Sequence, residues 1–245
     1  MSRLHRFLTT ERHGDEVEFS TAQARQIERV LRLRRGDRVR AFDGEAPIDL
    51  VVELTGPSVG RIVERCPQPP EPRTRLIAYP ALLQRDKFEP VLQKLTELGV
   101  ASIVPVLTAR GLVRDPPDCA RLARWQAILQ ETTEQSGRGR MPRLHAAMQF
   151  DEAVKRASQE GATVLAYEQE RHATLREALR DAGDTVSIFV GPEGGYTRQE
   201  ARLAREIGAC VITLGPRVLR TETASPVLAA LVLHERGDLS SLQNP

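Results

Sequence analysis

The chain has 245 residues, of which 40% are hydrophobic and 28% charged, with a formal net charge of +2, an ordinary balance for a soluble globular protein with room for one large or two modest domains. No stretch approaches the ~18 consecutive apolar residues of a membrane span, and the opening MSRLHRFLTTERHGDEVEF lacks the apolar centre of a secretory signal, so a cytoplasmic protein with no membrane partner is expected. Cys66, Cys119 and Cys210 are odd in number and far apart, and no Cys or His pair has zinc-ligand spacing, which argues against both a disulfide framework and a bound metal.

The first residues, to about 70, read as a small β-rich domain interrupted by one helix. Arg6 to Thr9 is a short strand candidate. Ser20 and Gln23 have the spacing of a capping box, and Ala24, Ile27, Val30 and Leu31 then fall on one helical face that Gly36 closes. Arg38 to Phe42, Pro47 to Leu54 and Ser58 to Cys66 are three strands, the first two separated by an Asp43-Gly44 turn, in a barrel-like meander. Between Arg29 and Arg40 stand six arginines against the single acid Asp37. Such a patch suits phosphate contacts, because a guanidinium is always charged and can bind bidentately, although a solvated helix end would look the same.

Pro67-Gln68-Pro69-Pro70-Glu71-Pro72 can form neither a ladder nor a helix, and reads as a stiff linker between a domain over 1–70 and a second over 71–245. From Arg75 onward strands and helices alternate, which predicts an α/β domain with a mostly parallel, doubly covered sheet. The expected strands are Leu76 to Leu82, Ile103 to Leu107, Thr163 to Tyr167, Val186 to Val190 and Cys210 to Leu214. The expected helices are one capped by Asp86 and Glu89 with Phe88, Leu92, Leu95 and Leu98 inward, one from Asp118 to about Gln135 burying Leu122, Trp125, Ile128 and Leu129, and one around Thr174 to Ala182.

Two glycine-punctuated segments end the chain, Gly191-Pro192-Glu193-Gly194-Gly195-Tyr196-Thr197-Arg198-Gln199-Glu200 and Leu214-Gly215-Pro216-Arg217-Val218-Leu219-Arg220-Thr221-Glu222-Thr223-Ala224-Ser225-Pro226. Each follows an apolar, β-branched run and leads into a helix: Thr197 and Glu200 have capping-box spacing, and Ser225-Pro226 reads as an N-cap and first helical residue. Both loops therefore belong at the carboxyl edge of one sheet, where α/β proteins bind ligands. Glycines there can let a ligand lie on bare backbone, and ordinary turns between strand and helix remain the alternative.

These segments closely resemble the paired C-terminal motifs of the bacterial 16S ribosomal RNA uridine-N3 methyltransferases of the trefoil-knotted SPOUT class. Arg6-Phe7-Leu8, Val30-Leu31-Arg32 with Gly36-Asp37, the run LLQRDKFEPVLQKLTELGV over 82–100, and EQSGRGRMP over 134–142 resemble the same family, so the similarity extends from residue 6 to residue 231. Gln84 stands where a basic residue is common. The resemblance implies a PUA-like β-barrel that grips RNA, followed by a knotted domain whose threaded tail cradles S-adenosylmethionine. Chain threading is a feature that periodicity cannot reveal.

On this resemblance the cofactor lies between the glycine loops, against Leu165 and Tyr167, Gly191, Pro192, Glu193 and Gly194, and Leu214, Gly215, Leu219, Thr221, Thr223 and Ala224. Leu214 and Leu219 would also serve as core residues in any such sheet. Uridine N3 becomes nucleophilic once its proton leaves, and a cation aimed at the flanking carbonyl oxygens stabilises the charge that develops. Arg220 is assigned that role, with Glu222 orienting it, accepting a proton or merely capping the next helix. Arg6, Arg32, Arg138, Arg140 and Arg217 are the candidate RNA contacts, the loop around Ser136 being otherwise a flexible surface turn. A homodimer acting on ribosomal RNA or the small ribosomal subunit is implied, with the helix Val227 to Leu233 as interface or core. A SPOUT enzyme modifying another RNA position, or a non-catalytic RNA-binding assembly factor, are the competing readings. A nucleotide-phosphate enzyme is disfavoured because the first loop lacks the lysine and hydroxyl of a P-loop.

Overall fold

The structure, a computed structural model, describes residues 4–9, 12–44, 46–84 and 87–239. The chain divides into two compact units, Met1–Glu71 with Gln130–Met141, and Pro72–Leu129 with Pro142–Pro245. The division falls in the proline run, and it adds to the first unit a segment, 130–141, that sequence reasoning places in the second. Glu71 gives the physical reason: its carboxylate accepts from the Arg138 guanidinium and from the backbone N–H groups of Gly139 and Arg140 at 2.7 to 3.4 Å. The end of the proline run is thus clamped to the 138–140 loop.

The first unit is a curled six-stranded sheet, a half-barrel. Its strands are β1 (Arg6–Leu8), β2 (Arg12–His13), β3 (Glu16–Glu18), β4 (Arg38–Phe42), β5 (Ile48–Leu54) and β6 (Val59–Pro67), in the order β1-β4-β5-β6-β3-β2. The two short strands β2 and β3 carry no alternation long enough to announce them. Phe7, Val17, Phe19, Ile27, Val39, Val52 and Leu54 fill the concave side. Helix α1 (Thr21–Arg25) begins with the capping box expected of Ser20 and Gln23. It then widens into a π-helical turn, Gln26–Val30, closed by Leu31 N–H to the Gln26 carbonyl at 2.9 Å. The extra residue in that turn takes Val30 out of the apolar stripe, so Val30 is 72% exposed where the 3.6-residue period puts it inside.

The second unit holds a wholly parallel sheet. Its early elements are β7 (Arg75–Pro80), α2 (Phe88–Leu98), β8 (Ser102–Ile103), β9 (Val106–Leu107) and α3 (Cys119–Ser136), whose last turns pass into the first unit. There follow β10 (Arg143–Leu144), β11 (Met148–Gln149), α4 (Phe150–Glu160), β12 (Ala162–Ala166), α5 (Leu175–Ala178), β13 (Thr185–Val190), α6 (Arg198–Glu206), β14 (Cys210–Ile212) and α7 (Thr221–Glu235). The sheet order is β10-β8-β7-β13-β12-β14, and β9 pairs with β11 in a sheet of two, with a further bridge from Val106 to Ala81. Pro105, which has no N–H for a ladder, divides the single strand expected over 103–107 into β8 and β9.

Several boundaries differ from expectation for local reasons. Asp86, expected to cap α2, lies outside the described residues; Lys87 is the N-cap and makes no side-chain capping bond, while Glu89 in the first turn pairs with Arg124 at 2.6 Å. Helix α4 is absent from the sequence reading, although Phe150, Ala153, Val154 and Ala157 carry the one-face spacing and are buried. Helix α7 starts at Thr221, with Arg220 as N-cap, and Pro226 lies inside it. The expected start at Ser225-Pro226 is corrected because Thr221, Ala224, Ser225 and Leu228 form one buried face that already pays for the earlier turn. After edge strand β14, α7 returns across the sheet to pack on β7, β13 and α2.

Candidate functional site

Because β13, β12 and β14 are adjacent and parallel, their carboxyl ends open at one edge, and three chain segments meet there. They enclose, with Lys87 and the first turn of α7, a cavity of about 640 Å³, within the range of about 300–1,000 Å³ usual for small-molecule sites. Both glycine loops line this one cavity.

The first loop is built on a tight turn, Gly195 N–H to the Pro192 carbonyl at 2.9 Å. It runs into α6 through the expected capping box: Thr197 Oγ1 accepts from Glu200 N–H at 3.1 Å, and the Glu200 carboxylate accepts from Thr197 N–H at 2.7 Å. Between them Tyr196 is fully buried, its ring tilted against Phe150 with centroids 5.2 Å apart, and burial pushes its phenol well above the ordinary value. Two features favour glycine at 195, the backbone angle more than the contact. Its φ is +65°, and a Cβ there would lie 2.7 Å from a Glu168 carboxylate oxygen.

The second loop is held more lightly. Thr213 Oγ1 accepts from Gly215 N–H at 3.1 Å and donates to the Gly215 carbonyl at 3.3 Å, after which Val218 is 84% exposed. The loop is secured again only at Thr221, whose buried hydroxyl donates to the Gly191 carbonyl at 2.9 Å. That bond joins the two loops directly.

The third wall follows β12. Tyr167, Glu168 and Arg171 face the cavity, and Glu170 fixes their conformation. The N–H groups of His172 and Arg171, together with the Arg205 guanidinium at 2.7 Å, hold the Glu170 carboxyl down to about 2. Around the rim, Lys87 pairs with Glu193 at 3.2 Å and Arg220 lies 3.9 Å from Glu222, its own side chain 86% exposed. The cavity therefore offers carboxylates and cations together over a floor of bare peptide. It can bind a small molecule bearing both signs of charge.

Of the residues expected to hold cofactor, Tyr167, Gly191, Pro192, Glu193, Gly194, Leu214, Gly215, Leu219, Thr221 and Ala224 line the cavity, as do Arg217, Arg220 and Glu222. Two do not. Leu165 lies one residue back from the strand end and belongs to the core with Phe189 and Val154, while the neighbouring Ala166 faces the cavity. Thr223 is exposed, on the opposite side of α7 from Thr221 and Ala224. Lys87, Glu168 and Arg171 also line the cavity and were not expected from the sequence. For the last two a signal existed, since they follow a strand ending at the same sheet edge as both loops.

Two of the arginines expected to contact RNA have side chains that the first unit binds internally. The Arg6 side chain is 4% exposed and binds the fully buried Asp49 with two nitrogens at 2.7 and 2.9 Å, its guanidinium lying over the Phe42 ring. A third nitrogen donates to the Arg138 carbonyl at 2.8 Å. Arg138 is itself 8% exposed and committed to Glu71. Both hold the loop in shape and present no free guanidinium, whereas Arg32 and Arg140 are exposed.

Residues 69–233 match the family described as RNA methyltransferase domain. The chain is 33% identical over 224 residues to the ribosomal RNA small subunit methyltransferase E of Synechocystis sp., covering 88% of this chain and 72% of that protein. It is 29% identical to the protein of the same name from Bacillus subtilis, with 91% and 93% covered. Among solved structures, the ribosomal RNA small subunit methyltransferase E of Neisseria gonorrhoeae bound to S-adenosylmethionine superposes with a TM-score of 0.86 at 29% identity, over 95% of this chain and 98% of that one.

Proposed function

From the premise that the chain belongs to the ribosomal RNA small subunit methyltransferase E family, we propose that it transfers a methyl group from S-adenosylmethionine to N3 of a uridine in 16S ribosomal RNA. The observation that carries this reading is the single cavity shared by both glycine loops, with Arg220 at its rim. The residues present fit the donor. Its adenosine and methionine parts call for exposed peptide groups and both signs of charge, which Gly191, Gly194 and Gly215, the Lys87 and Glu193 pair, and Glu168 provide. When bound, S-adenosylmethionine supplies a methyl group on a sulfonium, open to in-line displacement.

The chain's own residues then do the rest. The first loop presents its peptide groups at Gly191 and Gly194 to the donor, and Thr221 keeps the second loop beside it through its bond to the Gly191 carbonyl. Loops fixed in advance lower the entropic cost of bringing two reactants together. Arg220 places a permanent cation where negative charge grows on the uracil carbonyl oxygens, so it favours the transition state over the ground state. Glu222 orients Arg220 or takes the N3 proton. Arg217 in the second unit, and Arg32 and Arg140 in the first, supply cations for RNA phosphates.

The protein works as a homodimer on this reading, which Leu231, 41% exposed on α7, supports. Sedimentation at working concentration should return a dimer, and a monomer would remove this part. For the chemistry, the purified protein should methylate small-subunit RNA, the product being located by mass mapping. Arg220→Ala should lower the rate at saturating donor by about 10²-fold while leaving donor affinity in place. A full rate in that variant overturns the role of Arg220, and a methyl group on another nucleotide overturns uridine N3.

A further inference from the structure

A turn that is not part of the cavity wall is fastened to the first glycine loop from behind. It follows β9: Gly111 N–H bonds the Thr108 carbonyl at 3.1 Å, Ala109 N–H donates to Glu200 at 2.9 Å, and Arg114 donates to the Ala109 carbonyl at 2.9 Å. Both peptide groups of Ala109 are thereby fixed, and the next residue is aimed. Arg110 Nη1 donates to the carbonyl of Gly194 at 3.2 Å and, more weakly, to that of Tyr196 at 3.4 Å. A Cβ on Gly194 would come within 3.1 Å of the Arg110 Cβ and 3.2 Å of its carbonyl oxygen, so glycine at 194 is what lets the turn approach.

We propose that Arg110 is a positioning residue of the methyl-donor cradle, a guanidinium outside the cavity that holds the Gly194–Tyr196 backbone in its binding conformation. The inference rests on the reading that the donor occupies the cavity. Gly194 and Gly195 are consecutive glycines with wide backbone freedom, and the two carbonyls that Arg110 grips flank Gly195. The Glu200 carboxylate accepts from Ala109 on one side and from Thr197 on the other, so Arg110 and Glu200 close a ring between the turn and the loop. One charged nitrogen shared between the two carbonyls restrains both peptide planes at once. Without it the loop samples other conformations, and apparent affinity falls by the fraction of time the competent one is lost. Bond making is unaffected because Arg110 reaches no reacting atom.

The test combines titration calorimetry with S-adenosylmethionine, steady-state kinetics, and hydrogen exchange of the 194–197 amides in ligand-free protein, on wild type, Arg110→Ala and Arg110→Lys. Arg110→Ala should weaken donor binding about tenfold, with kcat at saturating donor falling by less than about threefold, and should speed exchange in the loop. Arg110→Lys should recover part of the affinity, since an ammonium restores the charge and its donors on a side chain of different reach. Wild-type affinity and exchange in Arg110→Ala would overturn the proposal, as would equal losses in kcat and affinity together with a lowered melting temperature. If wild type itself binds no donor, the reading of the cavity fails, and the exchange rates still decide whether Arg110 holds the loop.

Discussion

Arg6 in the first unit and Arg220 in the second stand in motifs of similar promise, yet one side chain is 4% exposed and the other 86%. The difference lies in what is beneath them. Arg6 sits over a fully buried carboxylate, Asp49, and an aromatic face, and a guanidinium that can satisfy its donors internally is stable inside a protein. Arg220 precedes a helix whose buried face begins one residue later, and its nearest acid, Glu222, is 3.9 Å away and part-exposed. The same residue type is structural where an acid waits in the core and available for chemistry where none does. Arg138 against Glu71 repeats the first case.

The comparison can be broken most severely at Asp49. Asp49→Ala leaves Arg6 buried without its partner and should cost about 3–5 kcal/mol of stability, read by denaturant unfolding. A loss below about 1 kcal/mol would mean that Arg6 is held by packing alone. A smaller effect of opposite sign is expected at Arg32. This residue has φ 55°, alone among the described non-glycine residues, in the position after the π-helical turn where Leu33 N–H bonds back to the Ile27 carbonyl at 3.0 Å. Glycine is the usual occupant of such a terminus. Arg32→Gly should therefore stabilise the protein by about 1 kcal/mol, while RNA affinity drops and its salt slope falls by about one. Greater stability with unchanged RNA binding would leave the arginine without a function. Smallest of all should be the stability change in the Arg220→Ala protein, within about 0.5 kcal/mol by thermal melting, because its side chain is in water.

Much of the candidate site is legible in the chain because it is local. The Thr197 and Glu200 capping box, the apolar runs before each loop and the positive-φ glycines at 195 and 215 are properties of a few consecutive residues, and parallel alternation then puts the loops at one edge. Local pattern fails where geometry departs from the regular period. The π-helical turn expels Val30, Pro105 divides a strand, and the buried face of α7 draws its start back to Thr221 ahead of an apparent Ser-Pro signal.

The sequence by itself determined the alternation of strand and helix, the placing of two glycine loops at one sheet edge, and the family to which those loops belong. Only the tertiary structure decided which arginines stand free and which are internal, that Thr221 ties one loop to the other, and that Lys87, Glu168 and Arg171 complete the wall. Those outcomes depend on partners tens of residues apart in the chain, such as Arg6 with Asp49 and Gly191 with Thr221. A hydrogen bond or ion pair is set by distance in space, and spacing along the chain carries no record of it.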